Sequence, residues 1–250
     1  MRCQGAAGAA VLSLAAAALA GPAGTEAPRL LFRDITREAG ITFEHHAAPE
    51  KKYIVESMSG GVALLDFDND GLLDLYEANG RVGRQSTMFS PDVYAEPNLL
   101  FRGVAGGRFE EVTPRGGTSQ LLVASSRAAA FGDVDNDGGL DIVVVNRDAR
   151  AHLLRNVVAG RGHWAMLRVV DDHGRDALGA EVTMTVAGRT IRRDVRAAYS
   201  YLASNDPRVH VGLGPETVLR DVSVLWPTGK RERFGDIEAD KVVVLRQGAR

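Results

Sequence analysis

One nine-residue pattern, D-x-D-x-D-G-x-x-D, occurs twice in this chain, beginning at Asp66 and again at Asp133. Each copy crowds four carboxylates around one glycine: Asp66, Asp68, Asp70 and Asp74 with Gly71, and Asp133, Asp135, Asp137 and Asp141 with Gly138. Carboxylates held this closely repel one another unless a cation lies between them. Calcium accepts roughly six to eight oxygens in flexible geometry, whereas magnesium takes fewer protein ligands and keeps more water. The glycine permits the sharp turn, and the backbone carbonyls of Leu72 and Gly139 are the expected additional ligands. An acidic turn between strands would account for one copy. Two copies with identical acid and glycine spacing point instead to two Ca2+ sites.

An EF-hand is the rival reading of the first copy, because Glu77 supplies an acid at its twelfth position. The second copy has Val144 there, and Asp141 repeats Asp74, so the shared closing acid is the ninth. The flanks Gly60-Gly61-Val62 and Asp141-Ile142-Val143-Val144-Val145 are also strand-like, where an EF-hand needs helices.

The loops sit in a longer repeat. Gly61-Val62-Ala63-Leu64-Leu65 before the first is echoed by Ala129-Ala130-Phe131-Gly132 before the second, and Asn98-Leu99-Leu100-Phe101-Arg102 by His152-Leu153-Leu154-Arg155-Asn156. Short β-branched runs at 62–65, 142–145 and 242–245 read as buried strands, and one helical turn is expected at 34–38. From about Gly162 the pattern lengthens into alternating segments at 163–169, 181–186, 190–195, 218–226, 231–234 and 241–245, separated by turn signals. These predict a second, sandwich-like β domain, in which Trp226-Pro227-Thr228-Gly229 is a hairpin turn after a core tryptophan.

Strand, acidic loop, strand and a following N-x-L-x-R element resemble the FG-GAP/VCBS repeats that form β-propeller blades in integrin α subunits. The opening Phe32-Arg33-Asp34-Ile35-Thr36 and Tyr53-Ile54-Val55-Glu56-Ser57-Met58-Ser59-Gly60-Gly61 resemble the cartilage acidic protein family. Ala177-Leu178-Gly179-Ala180, Tyr199-Ser200-Tyr201, His210-Val211-Gly212-Leu213-Gly214 and Val224-Leu225-Trp226-Pro227-Thr228-Gly229 resemble its ASPIC and UnbV domain. The resemblance implies an all-β chain, with a partial β-propeller over 30–158 and a C-terminal β-sandwich-like domain over 162–248. It also implies a secreted or surface-exposed, non-catalytic, calcium-binding module for protein or carbohydrate interaction and adhesion. Propellers close with about four to eight blades. Only roughly two to three fit between Leu30 and Val158, which leaves an internally deleted or truncated relative, an open fragment packed against the C-terminal domain, or one part of an oligomer, with exposed sheet edges a liability in the first two cases.

Composition narrows the partners. A formal net charge of −2 provides no global basic field for nucleic acid or an anionic membrane. Arg2 is the sole charge in residues 1–20, whose apolar run ends in Ala18-Leu19-Ala20. This reads as a secretory signal peptide cleaved after Ala20, the run being short for the rival membrane anchor. The expected location is secreted, periplasmic or at the cell surface, with no transmembrane segment in the mature chain. Cys3 is the single cysteine and would leave with that segment, so neither a disulfide nor a cysteine-based zinc site is expected.

No G-x-S-x-G elbow, phosphate-cradling loop or H-E-x-x-H motif occurs. The alternative, a calcium-dependent polysaccharide hydrolase or lyase, needs an open coordination position beside an acid/base pair, for instance a cleft joining Glu56 and His45 to a loop. Glu44-His45-His46 places adjacent imidazoles on opposite faces of a strand, which favours a structural role. Glu56 reads equally as a brace of the first loop or a solvated turn acid. Arg192-Arg193 and Lys230-Arg231-Glu232-Arg233 read as solvated strand faces rather than a patch for acidic glycans.

Overall fold

The computed structural model describes residues 33–41, 61–79, 98–112, 117–118, 122, 126–146 and 150–249. The expected signal peptide over residues 1–20, Cys3, Glu44, His45, His46 and Glu56 lie outside the described residues. All regular structure among the described residues is β. At 35–41 a single turn forms, with hydrogen bonds from the Ala39 N–H to the Ile35 carbonyl at 2.7 Å and from the Ile41 N–H to the Thr36 carbonyl at 3.0 Å.

Two antiparallel meanders come first. β1 (Val62–Leu65), β2 (Asp74–Glu77), β3 (Leu99–Val104) and β4 (Arg108–Glu111) form one sheet in that order, and β5 (Ser126–Gly132), β6 (Asp141–Asn146) and β7 (His152–Leu154) form another. In each, the acidic loop joins the first strand to the second. Their registers coincide: Leu75 faces Phe101 and Ile142 faces Leu154. Arg102 is therefore the counterpart of Arg155, and Gly103 of Asn156, one residue away from the correspondence of 98–102 with 152–156 read in the sequence. A pair of leucines fits either register; pairing with the strand before it decides. Ala63, Leu65, Tyr76 and Leu100 pack with Ala129, Phe131, Ile142 and Val144 into one shared core, where the Tyr76 and Phe131 rings meet edge to face at 6.1 Å. The meanders form no closed ring among the described residues.

The C-terminal strands are β8 (His163–Val170), β9 (Glu181–Val186), β10 (Arg189–Asp194), β11 (Val209–Gly214), β12 (Val218–Leu225), β13 (Arg231–Glu238) and β14 (Lys241–Arg246). They make a four-stranded sheet, β10-β9-β12-β13, and a three-stranded sheet, β11-β8-β14, that share one apolar core. Alternation sets the faces. Val182, Met184 and Val186 of β9 and Leu219, Val222 and Val224 of β12 enter this core from one side, and Ala165, Leu167 and Val169 of β8 with Val209, Val211 and Leu213 of β11 from the other. Trp226 is buried, as expected, and its carbonyl accepts the Gly229 N–H at 2.8 Å in the turn that follows. β11 was legible only as a family motif, because glycines at 212 and 214 dilute the β-branched signal.

One of the meander edges is covered by the C-terminal part of the chain. β5 is an edge strand, and an unpaired edge invites association with other chains. Here Ser200 Oγ donates to the Ala129 carbonyl at 2.7 Å, the Asp206 N–H donates to the Phe131 carbonyl at 2.9 Å, and Asn205 Oδ1 accepts the Phe131 N–H at 2.8 Å. Asn205 is buried and donates in turn to the Ala197 carbonyl. An Asn205→Ala substitution leaves the Phe131 N–H without its partner, and urea denaturation is expected to show a loss of about 1–3 kcal/mol.

Candidate functional site

The two acidic loops share one backbone. Asn69 and Asn136 take positive φ of 60° and 59°, and Gly71 and Gly138 both take 85°, the left-handed conformations that asparagine and glycine tolerate best. The hydrogen bonds repeat as well. Asp66 Oδ2 accepts the Gly71 N–H at 3.1 Å and Asp133 Oδ2 the Gly138 N–H at 2.9 Å. The ninth-position acids span each loop. Asp74 accepts the N–H groups of Phe67 and Gly103, both at 2.7 Å, and Asp141 those of Val134 and Asn156 at 2.9 and 2.8 Å.

This folding gathers three of the four acids in each copy. Ligand oxygens of Asp66, Asp68 and Asp74 lie within 4.8 Å of one another, and so do those of Asp133, Asp135 and Asp141. Oxygens on opposite sides of a calcium ion are about 5 Å apart, so each triad matches the diameter of such a shell. The structure leaves Asp70 and Asp137 out of the triads. Asp70 Oδ1 accepts the Leu72 N–H at 2.8 Å and Asp137 Oδ1 the Gly139 N–H at 2.8 Å. Glu77 also lies outside the first triad, and strands rather than helices flank both loops, which removes the EF-hand reading.

Each loop has an arginine at the corresponding place on its third strand or just beyond. Arg102 Nε lies 2.7 Å from Asp68 Oδ2, with Nη2 at 3.5 Å from Asp70, and Arg155 Nη2 lies 2.5 Å from Asp135 and 3.9 Å from Asp137. These guanidiniums hold the third and fifth positions of the pattern, and among the described residues no ion pair reaches the buried first and ninth acids.

Electrostatics separates the two loops. Burial pushes the Asp66 carboxyl up to about 7, aided by the charges of Asp74, Asp70 and Asp68 and opposed by the Gly71 N–H. Burial also takes Asp74 to about 7 against the N–H groups of Phe67 and Gly103. In the second loop Asp133 is raised, chiefly by burial. Burial works on Asp137 too, but the Gly139 N–H and the Arg161 guanidinium prevail and hold it below the usual carboxylate range. Asp66 Oδ1 is buried and has no hydrogen-bond partner among the described residues. A donor set made of hard oxygens, one of them buried and unpaired, fits a hard cation.

Both loops rest on the outer face of the three-stranded sheet. The Gly162 N–H donates to the Asp68 carbonyl at 2.9 Å and the Gly214 N–H to the Asn69 carbonyl at 2.8 Å. A Cβ on Gly212 would stand 2.0 Å from Asp66 Oδ2 and 2.8 Å from Asn69 Cα. Gly138 packs against the Trp164 ring, and its carbonyl accepts His210 Nε2 and Asn69 Nδ2, both at 3.1 Å. Desolvation drives His210 down to about 4, so the imidazole is neutral near pH 7 with its proton on Nε2. Arg208 donates to Asn136 Oδ1 at 2.6 Å and to the Asp133 carbonyl at 2.9 Å.

Residues 66–144 match the family described as FG-GAP-like repeat, and residues 171–250 match ASPIC and UnbV. The two matches follow one another along the chain. It is 28% identical to cartilage acidic protein 1 of Homo sapiens over 213 residues, 28% identical to that of Mus musculus over 213, and 26% identical to that of Xenopus tropicalis over 215. Each alignment covers 81% of this chain, which spans 30% of the length of these curated relatives. The FG-GAP-like match contains both acidic triads. The ASPIC and UnbV match supplies Arg208, Gly212 and Gly214, while Arg161, Gly162 and β8 lie between the two matches.

Those supporting residues escaped the sequence reading. Arg102 and Arg155 stood inside a noted element without a role, Gly162 marked only the start of the second domain, and Gly212 and Gly214 were noted only as part of a family motif. Their common signal is a missing Cβ or a cation where a distant acidic loop must approach.

Two outcomes follow from this geometry. In the metal-free chain Asp66 and Asp74 hold protons up to about pH 7 that the unfolded chain releases near 3.8. Stability therefore falls as pH rises from about 4 to about 7, and melts in chelator across that range are expected to show the decline, with added calcium reducing it. A Gly212→Ala substitution forces a methyl group into Asp66 and the Asn69 backbone, and denaturation is expected to show a loss of about 1–3 kcal/mol.

Proposed function

We propose that this chain is a secreted or surface-exposed, non-catalytic calcium-binding module whose two ions stiffen blade-like repeats for protein or carbohydrate interaction and adhesion. The buried, unpartnered Asp66 Oδ1 carries this reading: a carboxylate oxygen removed from water costs free energy until it finds a partner, and a coordinated cation is one. The likeness to cartilage acidic protein 1 supports the extracellular setting.

In this reading Asp66, Asp68 and Asp74 are the main ligands of the first ion, joined by Asp70 and the Leu72 carbonyl. Asp133, Asp135 and Asp141, joined by Asp137 and the Gly139 carbonyl, hold the second. When bound, each ion supplies charge neutralisation rather than chemistry. The chain divides into repeats of a partial β-propeller over 30–158 and a sandwich-like domain over 162–248, exported by the signal peptide at 1–20. Among the described residues no helix is long and apolar enough to cross a membrane.

Extracellular calcium modules bind with dissociation constants of about 10⁻⁴ to 10⁻³ M. An ion at ten times that concentration stabilises the fold by about 1.4 kcal/mol per site. Calorimetric titration into the chelator-stripped chain is expected to find two ions, with Asp68→Ala and Asp135→Ala each removing one. Calcium is expected to raise the melting temperature of the unsubstituted chain by several degrees, and of either variant by less. A folded chain that takes up no calcium refutes the proposal.

A further inference from the structure

A cavity of about 300 Å³ opens beside Asp66, between the first acidic loop and the β9–β10 hairpin. Five arginines line it, Arg189, Arg192, Arg193, Arg196 and Arg208, against three aspartates, Asp66, Asp194 and Asp206. Two of the five are neutralised. Arg192 Nη2 lies 3.3 Å from Glu181 and 3.1 Å from Asp194, and Arg208 is paired with Asp206 at 2.5 Å. Arg189, Arg193 and Arg196 have no carboxylate within ion-pair distance among the described residues.

Arg193 does not sit on the solvated strand face expected of Arg192-Arg193. Arg193 is half-buried and fixed by an Nη1 hydrogen bond to the Arg192 carbonyl at 3.1 Å. The Arg196 guanidinium lies 5.5 Å from the centre of the Tyr199 ring, an arrangement that orients its remaining donors. A partly desolvated guanidinium with donors to spare favours an anion. The loop-side wall is aliphatic: Leu64 and Leu73 line it and are exposed, and Ile191 adds an aliphatic side chain from β10 itself. An acidic sugar would find no hydroxyl partners on that wall. An acidic side chain next to an aliphatic one satisfies both walls, and the volume is at the lower end for a ligand pocket, the size of one or two residues.

We propose that this cavity binds an acidic segment of a partner protein, with Arg193 and Arg196 holding a carboxylate and Leu64 and Leu73 taking the neighbouring aliphatic side chain. The inference rests on the interaction-module reading and names the chemistry of its partner. Arginine clusters read acidic motifs in this way elsewhere, through fork-shaped pairs of hydrogen bonds.

The test uses the full chain with a fluorescein-labelled Leu-Glu-Leu-Glu peptide, its Leu-Gln-Leu-Gln counterpart and a labelled uronate tetrasaccharide, each with calcium and with chelator. One Leu-Glu peptide is expected to bind per chain, more weakly as salt rises, while the Leu-Gln peptide and the sugar do not. Arg193→Gln and Arg196→Gln are each expected to weaken binding about tenfold or more, with melting unchanged for the exposed Arg196→Gln. Arg231→Gln, on the distant strand β13, is expected to leave binding unchanged. Equal binding of the Leu-Gln peptide, insensitivity to both cavity arginines, or binding of the sugar alone overturns the proposal. A chain that takes up two calcium ions and no peptide overturns this inference and leaves the calcium reading intact; uptake of peptide without calcium does the reverse.

Discussion

The structure depends on how it buries Asp66 and Asp74 within an all-β chain. Two carboxylates removed from water in one loop oppose folding unless something offsets their charge. The chain first supplies backbone N–H groups: those of Phe67 and Gly103 on Asp74 and that of Gly71 on Asp66. Three dipoles do not cancel two charges, and both groups stay protonated to about pH 7 in the chain by itself. The loop is thus built around an incomplete electrostatic balance, and a cation is the simplest group that completes it. The rest of the fold is arranged to keep that loop covered, with glycines at 162, 212 and 214 lying against its backbone.

The second loop has the same backbone and a different balance. Its third and fifth acids are more exposed, and two guanidiniums, Arg155 and Arg161, meet Asp137 where the first loop has only Arg102. Duplication preserved the hydrogen-bond scaffold, while the surroundings diverged. The loops also hold each other: Asn69 Nδ2 reaches the Gly138 carbonyl, and Asn156 places its N–H on Asp141 and its side chain on the Phe67 carbonyl at 2.8 Å. An ion at one loop would therefore act on hydrogen bonds that the other shares, a physical route for coupling between the two loops.

Much of this was legible in the sequence because local rules dominate. The acid and glycine spacing announced the triads, and β-branched alternation placed β9 with both ends correct and β8, β12 and β14 to within one residue at each end. The failures have separate physical causes. β11 must approach the first loop so closely that Gly212 and Gly214 replace side chains, which erases the pattern by which a strand is recognised. β13 runs four residues past Phe234 through Gly235, whose positive φ of 76° marks an irregular register with β12 rather than a strand end. Arg192-Arg193 was read as a solvated face because acids are interspersed nearby; both line the cavity, and the difference between them is that Arg192 is paired with Asp194 and Glu181 while Arg193 is half-buried. Long-range approach is not written in any window of a dozen residues.

The same approach explains how two blade-like meanders persist without a closed ring among the described residues. In a ring of blades each sheet is covered by its neighbours. Here the C-terminal sandwich does that work at two places of different chemistry. Its segment around Ser200, Asn205 and Asp206 satisfies the free backbone groups of β5. The outer face of β8 and β11, which an isolated sandwich would expose to water, is instead the floor beneath both acidic loops. Neither half is complete alone: the meanders would lose their edge cover, and the sandwich would expose Trp164 and a face of bare glycine backbone. The interface is therefore part of the folding unit. Because the acidic loops supply part of it, loss of order in those loops weakens the docking of the two halves.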